Sequence, residues 1–236
     1  MTRRRSILAA LFASVALCSP QASAQGPTTS SPPVGEMKSL GRDRYQIGRI
    51  VVDKRTSTFT IPGRVHVVGK PLEYLATSPG GMKAYETLLE VDATGSEFNL
   101  ACILIGLERD PKQVPWQNLS QAERLVGRRI AISITWSVGG KLRQVPAAEA
   151  LLNPDSGVKP ESVEWVYIGS PASDGRDRFA ADDTGTLIGF VHDANSIIES
   201  AIGIGIGAYG SVRGHSMLPP VGTAVELVVQ AAAAAK

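Results

Sequence analysis

The strongest constraint on the fold is a succession of short segments rich in β-branched and aromatic residues, separated by Gly, Pro, Asp and other turn residues. Segments of this length and composition favour strands, and the residues between them are those that turns require. Two turn sequences, Asp53-Lys54-Arg55 and Gly139-Gly140, are each flanked by such segments and predict hairpins. The sequence therefore predicts strands at residues 45–52, 56–61, 65–68, 72–76, 88–91, 129–138, 141–145, 163–168, 186–191 and 223–229.

One segment has a helical pattern instead. Thr94 followed by Glu97 forms a capping box, and the apolar residues between Phe98 and Leu107 lie nearly all round the predicted helix. A helix of this kind is expected to be buried against the sheet. Shorter helices are predicted at residues 120–127, 146–152 and 194–200. The predicted fold class is α+β and β-rich, with mainly antiparallel sheets, one buried apolar helix and several short helices.

The N-terminus has the three regions of an export signal. Arg3, Arg4 and Arg5 precede an apolar run at residues 7–17, and Ala22-Ser23-Ala24 follows it. The run is about half the ~20 residues that a membrane-spanning helix needs. We expect cleavage near Ala24 and an exported product, periplasmic or secreted, with no membrane span.

Two further features of the signal leave alternatives open. Cys18 could carry a lipid anchor, but the bulky Leu17 before it disfavours lipidation. Arg4-Arg5 partly resembles a twin-arginine signal, although basic starts are common to both export routes. The sequence therefore predicts export and favours the general route.

Cleavage changes the charge and the cysteine content. The formal charge of +2 becomes +2 − 3 = −1 without the three arginines, so no general electrostatic field favours nucleic acid or anionic lipid. Cys102 is the only cysteine after Ala24, which excludes an intramolecular disulfide. The predicted organisation is a signal peptide at 1–24, a flexible leader at 25–43, an N-terminal lobe at 44–118, a C-terminal β-rich lobe at 119–230 and a tail at 231–236.

The densest polar and aromatic cluster consists of Glu73-Tyr74 and Tyr85-Glu86, on either side of the turn at Gly80-Gly81. If this turn closes a hairpin, Glu73 and Glu86 approach each other, and paired carboxylates act as acid and base or hold a cation. Glu86 lies in an otherwise apolar stretch, so its charge is either solvated or held by a specific partner. A solvated or structural carboxylate is the favoured interpretation.

His192-Asp193 is a second candidate, either as a metal pair or as an acid/base dyad. A helix entry with Asp193 as N-cap explains the same residues and is favoured. No cofactor or metal site is predicted, because the other histidines, His66 and His215, are distant. The glycines at 205–210 lack the helix and acidic residue of a dinucleotide site, and the acidic turns at 174–177 and 182–185 lack the spacing of a calcium loop.

Several motifs together resemble the YdjY-like domain of exported bacterial proteins. They are residues 72–75, Gly81, 85–89 and 101–107 in the first half, and residues 165–170, 179–185 and 219–225 in the second. The resemblance implies an exported protein without an established reaction. Members often have His-Glu at the position of Tyr85-Glu86, so only Glu86 carries over. The ferredoxin-like label of some members requires clustered cysteines, which this chain lacks.

The function predicted first is a non-catalytic exported binding or accessory module, whose partner is a small molecule or another exported protein. One alternative is a cation-assisted enzyme acting on a small molecule or glycan, with Glu73, Glu86, His192 and Asp193 as its site. A third possibility is a docking protein that uses the glycine-rich residues 203–214.

Overall fold

The computed structural model describes residues 35–115, 120, 124–151, 159–172, 179–204 and 212–232, which belong to one compact unit. The predicted signal peptide, most of the leader and the glycines at 205–210 lie outside the described residues, as do the acidic turn at 174–177 and tail residues 233–236. No helix among the described residues is long and apolar enough to cross a membrane.

The described part of the chain is β-rich, with few helices. Its strands are β1 (Met37–Gly41), β2 (Arg44–Ile47), β3 (Ile50–Asp53), β4 (Thr58–Val65), β5 (Tyr74–Thr77), β6 (Thr87–Val91), β7 (Arg129–Val138), β8 (Lys141–Pro146), β9 (Trp165–Tyr167), β10 (Thr186–Gly189), β11 (Ile198–Ser200) and β12 (Ala224–Ala231). Most of the predicted strand positions are confirmed, and so are the β3–β4 hairpin and the β7–β8 hairpin at Gly139-Gly140.

Eight strands close into a mixed barrel, a closure that the sequence does not predict. Their order is β4-β12-β7-β9-β11-β10-β5-β6, and β6 pairs back onto β4. Neighbours are antiparallel except for the pairs β5–β6 and β10–β11. Buried and exposed residues alternate along β4, β7 and β12, and a barrel of this size is filled by its own side chains.

Two extensions leave the barrel and create forks in the sheet. One edge of β4 pairs with β3 at Thr58–Thr60 and with β6 at Gly63–Val65. One edge of β7 likewise pairs with β9 at residues 129–130 and with β8 at residues 133–138. At each fork two neighbouring strands diverge, which leaves a groove between them.

The main helix, α1 (Gly95–Leu104), begins with the predicted capping box, in which Thr94 and Glu97 bond each other's main chain. Phe98 packs edge-on against Phe59, with ring centroids 5.4 Å apart. The side-chain oxygen of Asn99 accepts a hydrogen bond from the Tyr167 hydroxyl. Ile103 is 51% exposed, so one side of the helix faces solvent. The predicted burial therefore holds for one face only.

The short helices are partly as predicted. The helix expected at 146–152 is α2 (Ala147–Leu151), and α3 (Ala180–Thr184), which ends at the left-handed Gly185, was not predicted. Residues 124–127 of the helix expected at 120–127 are not helical, and residues 121–123 lie outside the described part.

The prediction of a helix at residues 194–200 is wrong. Asp193 accepts hydrogen bonds from the main chain and side-chain amides of Asn195, which form an Asx turn rather than a helix cap. Ile198 and its neighbours then form β11, buried between β9 and β10. A β-branched residue paired on both sides gains more from the sheet than from a short helix.

Three other predicted segments have different boundaries in the structure. The strand expected at 45–52 is two strands, because Gly48 has a φ of 53° and turns the chain between β2 and β3. The strand expected at 65–68 is the end of β4, which stops at Val65. Met37–Gly41, placed by the sequence in the flexible leader, pair with β2 as a solvent-exposed edge strand.

Candidate functional site

The five predicted site residues lie at one end of the barrel. The turn at Gly80-Gly81 does not close a hairpin, because β5 and β6 are parallel and residues 78–86 cross over between them. A second crossover, residues 190–197, joins the parallel strands β10 and β11. Tyr85 and Glu86 lie on the first crossover and His192 and Asp193 on the second, while Glu73 directly precedes β5.

Strand register brings the two crossovers together. Tyr74 is opposite Thr87 of β6 on one side and Gly189 of β10 on the other. Glu73 bonds the main chain of both crossovers, since its amide donates to Glu86 O at 3.0 Å and its carbonyl accepts from Phe190 N at 3.1 Å. Glu73 and Glu86 are therefore neighbours, but through the parallel pairing of β5 and β6 and not through the hairpin on which their predicted approach depended.

Lys83 lies between the two glutamates. Its ammonium Nζ is 2.7 Å from Glu86 Oε1 and 3.9 Å from Glu73 Oε2. The bond to Glu86 raises the pKa of Lys83 above its usual value. Glu86 thus has the specific partner that its apolar surroundings require. The sequence analysis missed Lys83, although its spacing of three residues from Glu86 was a possible signal.

Tyr85, the remaining predicted residue of the first crossover, is 61% exposed. Lys83 Nζ lies 5.6 Å from the centre of its ring and 3.3 Å from its hydroxyl oxygen. Tyr85 therefore covers the outer side of the lysine and faces solvent.

Asp193 belongs to a buried polar cluster that the sequence did not predict. Its Oδ2 accepts a hydrogen bond from the Tyr74 hydroxyl at 2.9 Å, and its main-chain amide donates a hydrogen bond to Glu199 Oε1 at 3.2 Å. Burial, followed by the charge of Asp193, raises the pKa of Tyr74. Burial and then Asp193 also raise the pKa of Glu199 well above its usual value. Glu199 escaped prediction because it was assigned to a short helix.

His192 and Asp193 form neither the helix entry that the sequence favoured nor the alternative acid/base dyad. The imidazole is buried, with Nδ1 2.8 Å from Ser120 O and Nε2 3.0 Å from Ser200 O. The carboxylate of Asp193 instead bonds Tyr74 and Asn195. Within the described ranges, no group of three or more His, Cys, Asp or Glu side chains is arranged to hold a metal ion.

A separate groove lies where β8 and β9 diverge from β7, and we call it the fork groove. Its volume is about 590 Å³, within the range of small-molecule sites. Its lining is mostly apolar or neutral and polar, with Glu161 as its charged member: Ile130, Ala131, Ile132, Ser133, Gln144, Val145, Pro146, Ala148, Pro160, Glu161, Val163, Trp165, Val228 and Gln230.

The other fork, between β3 and β6, also has a groove, of about 490 Å³, at the start of α1. Its carboxylates already have partners. Asp92 pairs with Arg49 at 3.2 Å, Glu97 belongs to the capping box, and Asp182 bonds Ser96. Since these carboxylates already serve an ion pair, a helix cap and the contact between α1 and α3, the groove is less suited to a ligand.

Comparison with known proteins gives one match. A family model described as the YdjY domain matches residues 50–230, well over half of the chain. No curated protein and no solved structure matches it.

Proposed function

This chain belongs to the YdjY domain family, and from that premise we propose that it is an exported binding module, which holds its ligand in the fork groove and catalyses no reaction. The observation that carries the proposal is the composition of this groove. It combines apolar walls with neutral hydrogen-bonding side chains such as Ser133, Gln144 and Gln230, which is how binding sites for small molecules are usually built.

The state of the polar residues supports binding over catalysis. A general acid or base must reach the proton that it transfers. Glu86 is paired with Lys83, and Glu199 is fully buried. Both ring nitrogens of His192 contact main-chain carbonyls. These groups stabilise the two crossovers, so the alternative of a cation-assisted enzyme has less support.

The lining of the fork groove also indicates the class of ligand. Glu161 disfavours anions, and the apolar walls disfavour strongly hydrated cations. The proposed ligand is a neutral, partly apolar small molecule with hydrogen-bonding groups.

Native mass spectrometry of the protein purified from its exported compartment tests this proposal. We expect a chain that starts near Gln25 and carries a neutral small molecule at one-to-one stoichiometry. Val228→Trp should fill the groove and weaken binding of that molecule about tenfold or more, which corresponds to about 1.4 kcal/mol. The neutral dye Nile red serves as the probe in the same assay.

The matched control is Glu226→Trp, because residue 226 is exposed on the same strand but does not line the groove. It should bind the molecule and the dye like the unmodified protein. Equal binding by the two tryptophan variants, or a bare chain that does not bind the dye, would contradict the proposed function.

A further inference from the structure

Glu199 occupies an unusual position for a carboxyl group. It lies on β11 opposite Gly189 and has no exposed surface. Its Oε1 accepts the amide proton of Asp193 at 3.2 Å, whereas Oε2 is buried without a hydrogen-bond partner in the described part of the chain. The hydroxyl of Ser196 is buried beside Gly189 and this carboxyl, likewise without a well-aligned hydrogen bond there. Burial and the charge of Asp193 raise the pKa of Glu199, and the Asp193 amide and the Ser196 hydroxyl oppose this effect without cancelling it.

The hydrogen bond that Glu199 accepts comes from a neutral main-chain amide. The second crossover contributes Asp193 and His192, whose ring contacts main-chain carbonyls. Strand β5, on the far side of β10, contributes Tyr74, with Glu73 directly before it. Among the described residues, the hydrogen-bond partners of Asp193 and Glu199 include no basic side chain. An ionised Glu199 would therefore be a buried charge beside a like charge, which is costly.

We propose that Glu199 is a proton-controlled latch for the second crossover: protonated Glu199 keeps residues 190–197 closed over the end of the barrel, and loss of its proton opens them. The device is a pH switch within the fold and does not depend on a ligand in the fork groove.

Asp193 connects the latch to the rest of the barrel end. Its carboxylate accepts hydrogen bonds from the Tyr74 hydroxyl and, in the Asx turn, from Asn195. Its main-chain amide donates a hydrogen bond to Glu199. Repulsion between two carboxylates would displace Asp193 and break these contacts together. The crossover begins at Phe190, whose amide bonds the carbonyl of Glu73, so opening would also loosen this contact with the residue before β5.

The sign of the pH dependence follows from the raised pKa of Glu199 in the closed state. Closing favours the protonated carboxyl, so the closed state is most stable below the pKa of the open state. Its stability falls as the pH rises towards the pKa of the closed state. Because one proton is lost on opening, the opening equilibrium should increase about tenfold for each pH unit in this interval.

Amide hydrogen exchange of the purified protein as a function of pH tests the proposal. After correction for intrinsic exchange rates, protection of the amides of Asp193, Ser196 and Ile197 should fall about tenfold per pH unit. In Glu199→Gln, which keeps the shape and the acceptor but cannot ionise, their protection should be independent of pH. Ser78 and Met82 of the first crossover, bonded to Gly185 O and Thr184 O, are internal controls that should not change.

A second measurement does not depend on the variant. The side-chain carboxyl carbon of Glu199, followed by NMR in the unmodified protein, should titrate far above the usual range of glutamate. Titration near pH 4.5, the ordinary value, would overturn the proposal. The same pH dependence of exchange in the unmodified protein and in Glu199→Gln would also overturn it.

Discussion

At the scale of single residues, two buried glutamates of this protein have opposite surroundings. Glu90 bonds the guanidinium of Arg64 and the amide of Gly80, and lies 3.3 Å from His66 Nδ1. Among the described residues, Glu199 accepts a well-aligned hydrogen bond from the amide of Asp193 and has the neutral hydroxyl of Ser196 nearby. A buried charge is tolerated where partners compensate it, so Glu90 suits an ionic brace and Glu199 suits a neutral carboxyl.

Gly189 is required because the Glu199 carboxyl occupies the space that a Cβ atom would fill. We expect Gly189→Ala to lower the free energy of unfolding by about 1–3 kcal/mol, the usual cost of overpacking. Urea denaturation measures this. Gly69→Ala is the control, because nothing lies within 4 Å of a Cβ there. If the contact with Glu199 is responsible, adding Glu199→Ala to Gly189→Ala should restore part of the lost stability. Equal stability of Gly189→Ala and Gly69→Ala would argue against this contact as the cause.

At the scale of elements, the start of α1 connects several parts of the chain. The carboxylate of Glu97 accepts from the amides of Thr94 and Gly35, and Asp182 of α3 accepts from Ser96. A side chain on Gly95 would collide with Ala181. The helix is thus oriented by its first turn, where unpaired amides need acceptors.

Thr94→Ala removes the side-chain acceptor of the capping box. It should lower the free energy of unfolding by about 1 kcal/mol, within the range measured for helix caps. Thermal and urea denaturation provide the measurement. Thr94→Ser keeps the hydroxyl and should stay close to the unmodified protein; a loss as large as that of alanine would show that the methyl group, not the cap, matters.

At the scale of the whole molecule, each predicted lobe contributes one continuous part of the barrel. The two parts meet where β4 pairs with β12 and where β5 pairs with β10. Separating residues 44–118 from 119–230 would leave the edges of these strands without partners. Exposed strand edges are unstable and prone to association.

We therefore expect the intact protein to unfold in a single transition, and neither half to fold alone. Far-UV circular dichroism reports on all strands. Trp116 belongs to the first half, so fluorescence is followed in Trp116→Phe, whose remaining tryptophans, Trp136 and Trp165, lie in the second half. The two signals should coincide during urea denaturation. Separate transitions, or a folded fragment of residues 119–230, would show that the two lobes are independent.

Local patterns predicted much of the secondary structure and part of the candidate site. Gly139-Gly140 indicated the β7–β8 hairpin, and Thr94 with Glu97 indicated the start of α1. These features depend on residues close in sequence, whose turn and cap chemistry is specific. Glu73 and Glu86 are neighbours in the structure, but the hairpin from which their approach was predicted does not form. Glu199 and the fork groove were missed because they depend on partners from distant segments, whereas Lys83 was missed although its partner Glu86 lies only three residues away.

The sequence by itself determined where most strands lie, that the fold is β-rich, and that α1 begins at a capping box. Turn residues and alternating apolar residues act over a few positions, so they can be read without the rest of the chain. Only the tertiary structure decided that β5–β6 and β10–β11 are parallel and that the sheet closes at β4 and β6. Strand direction and partner depend on burial and pairing across the whole barrel. The same long-range pairing buries Glu199 and creates the fork groove.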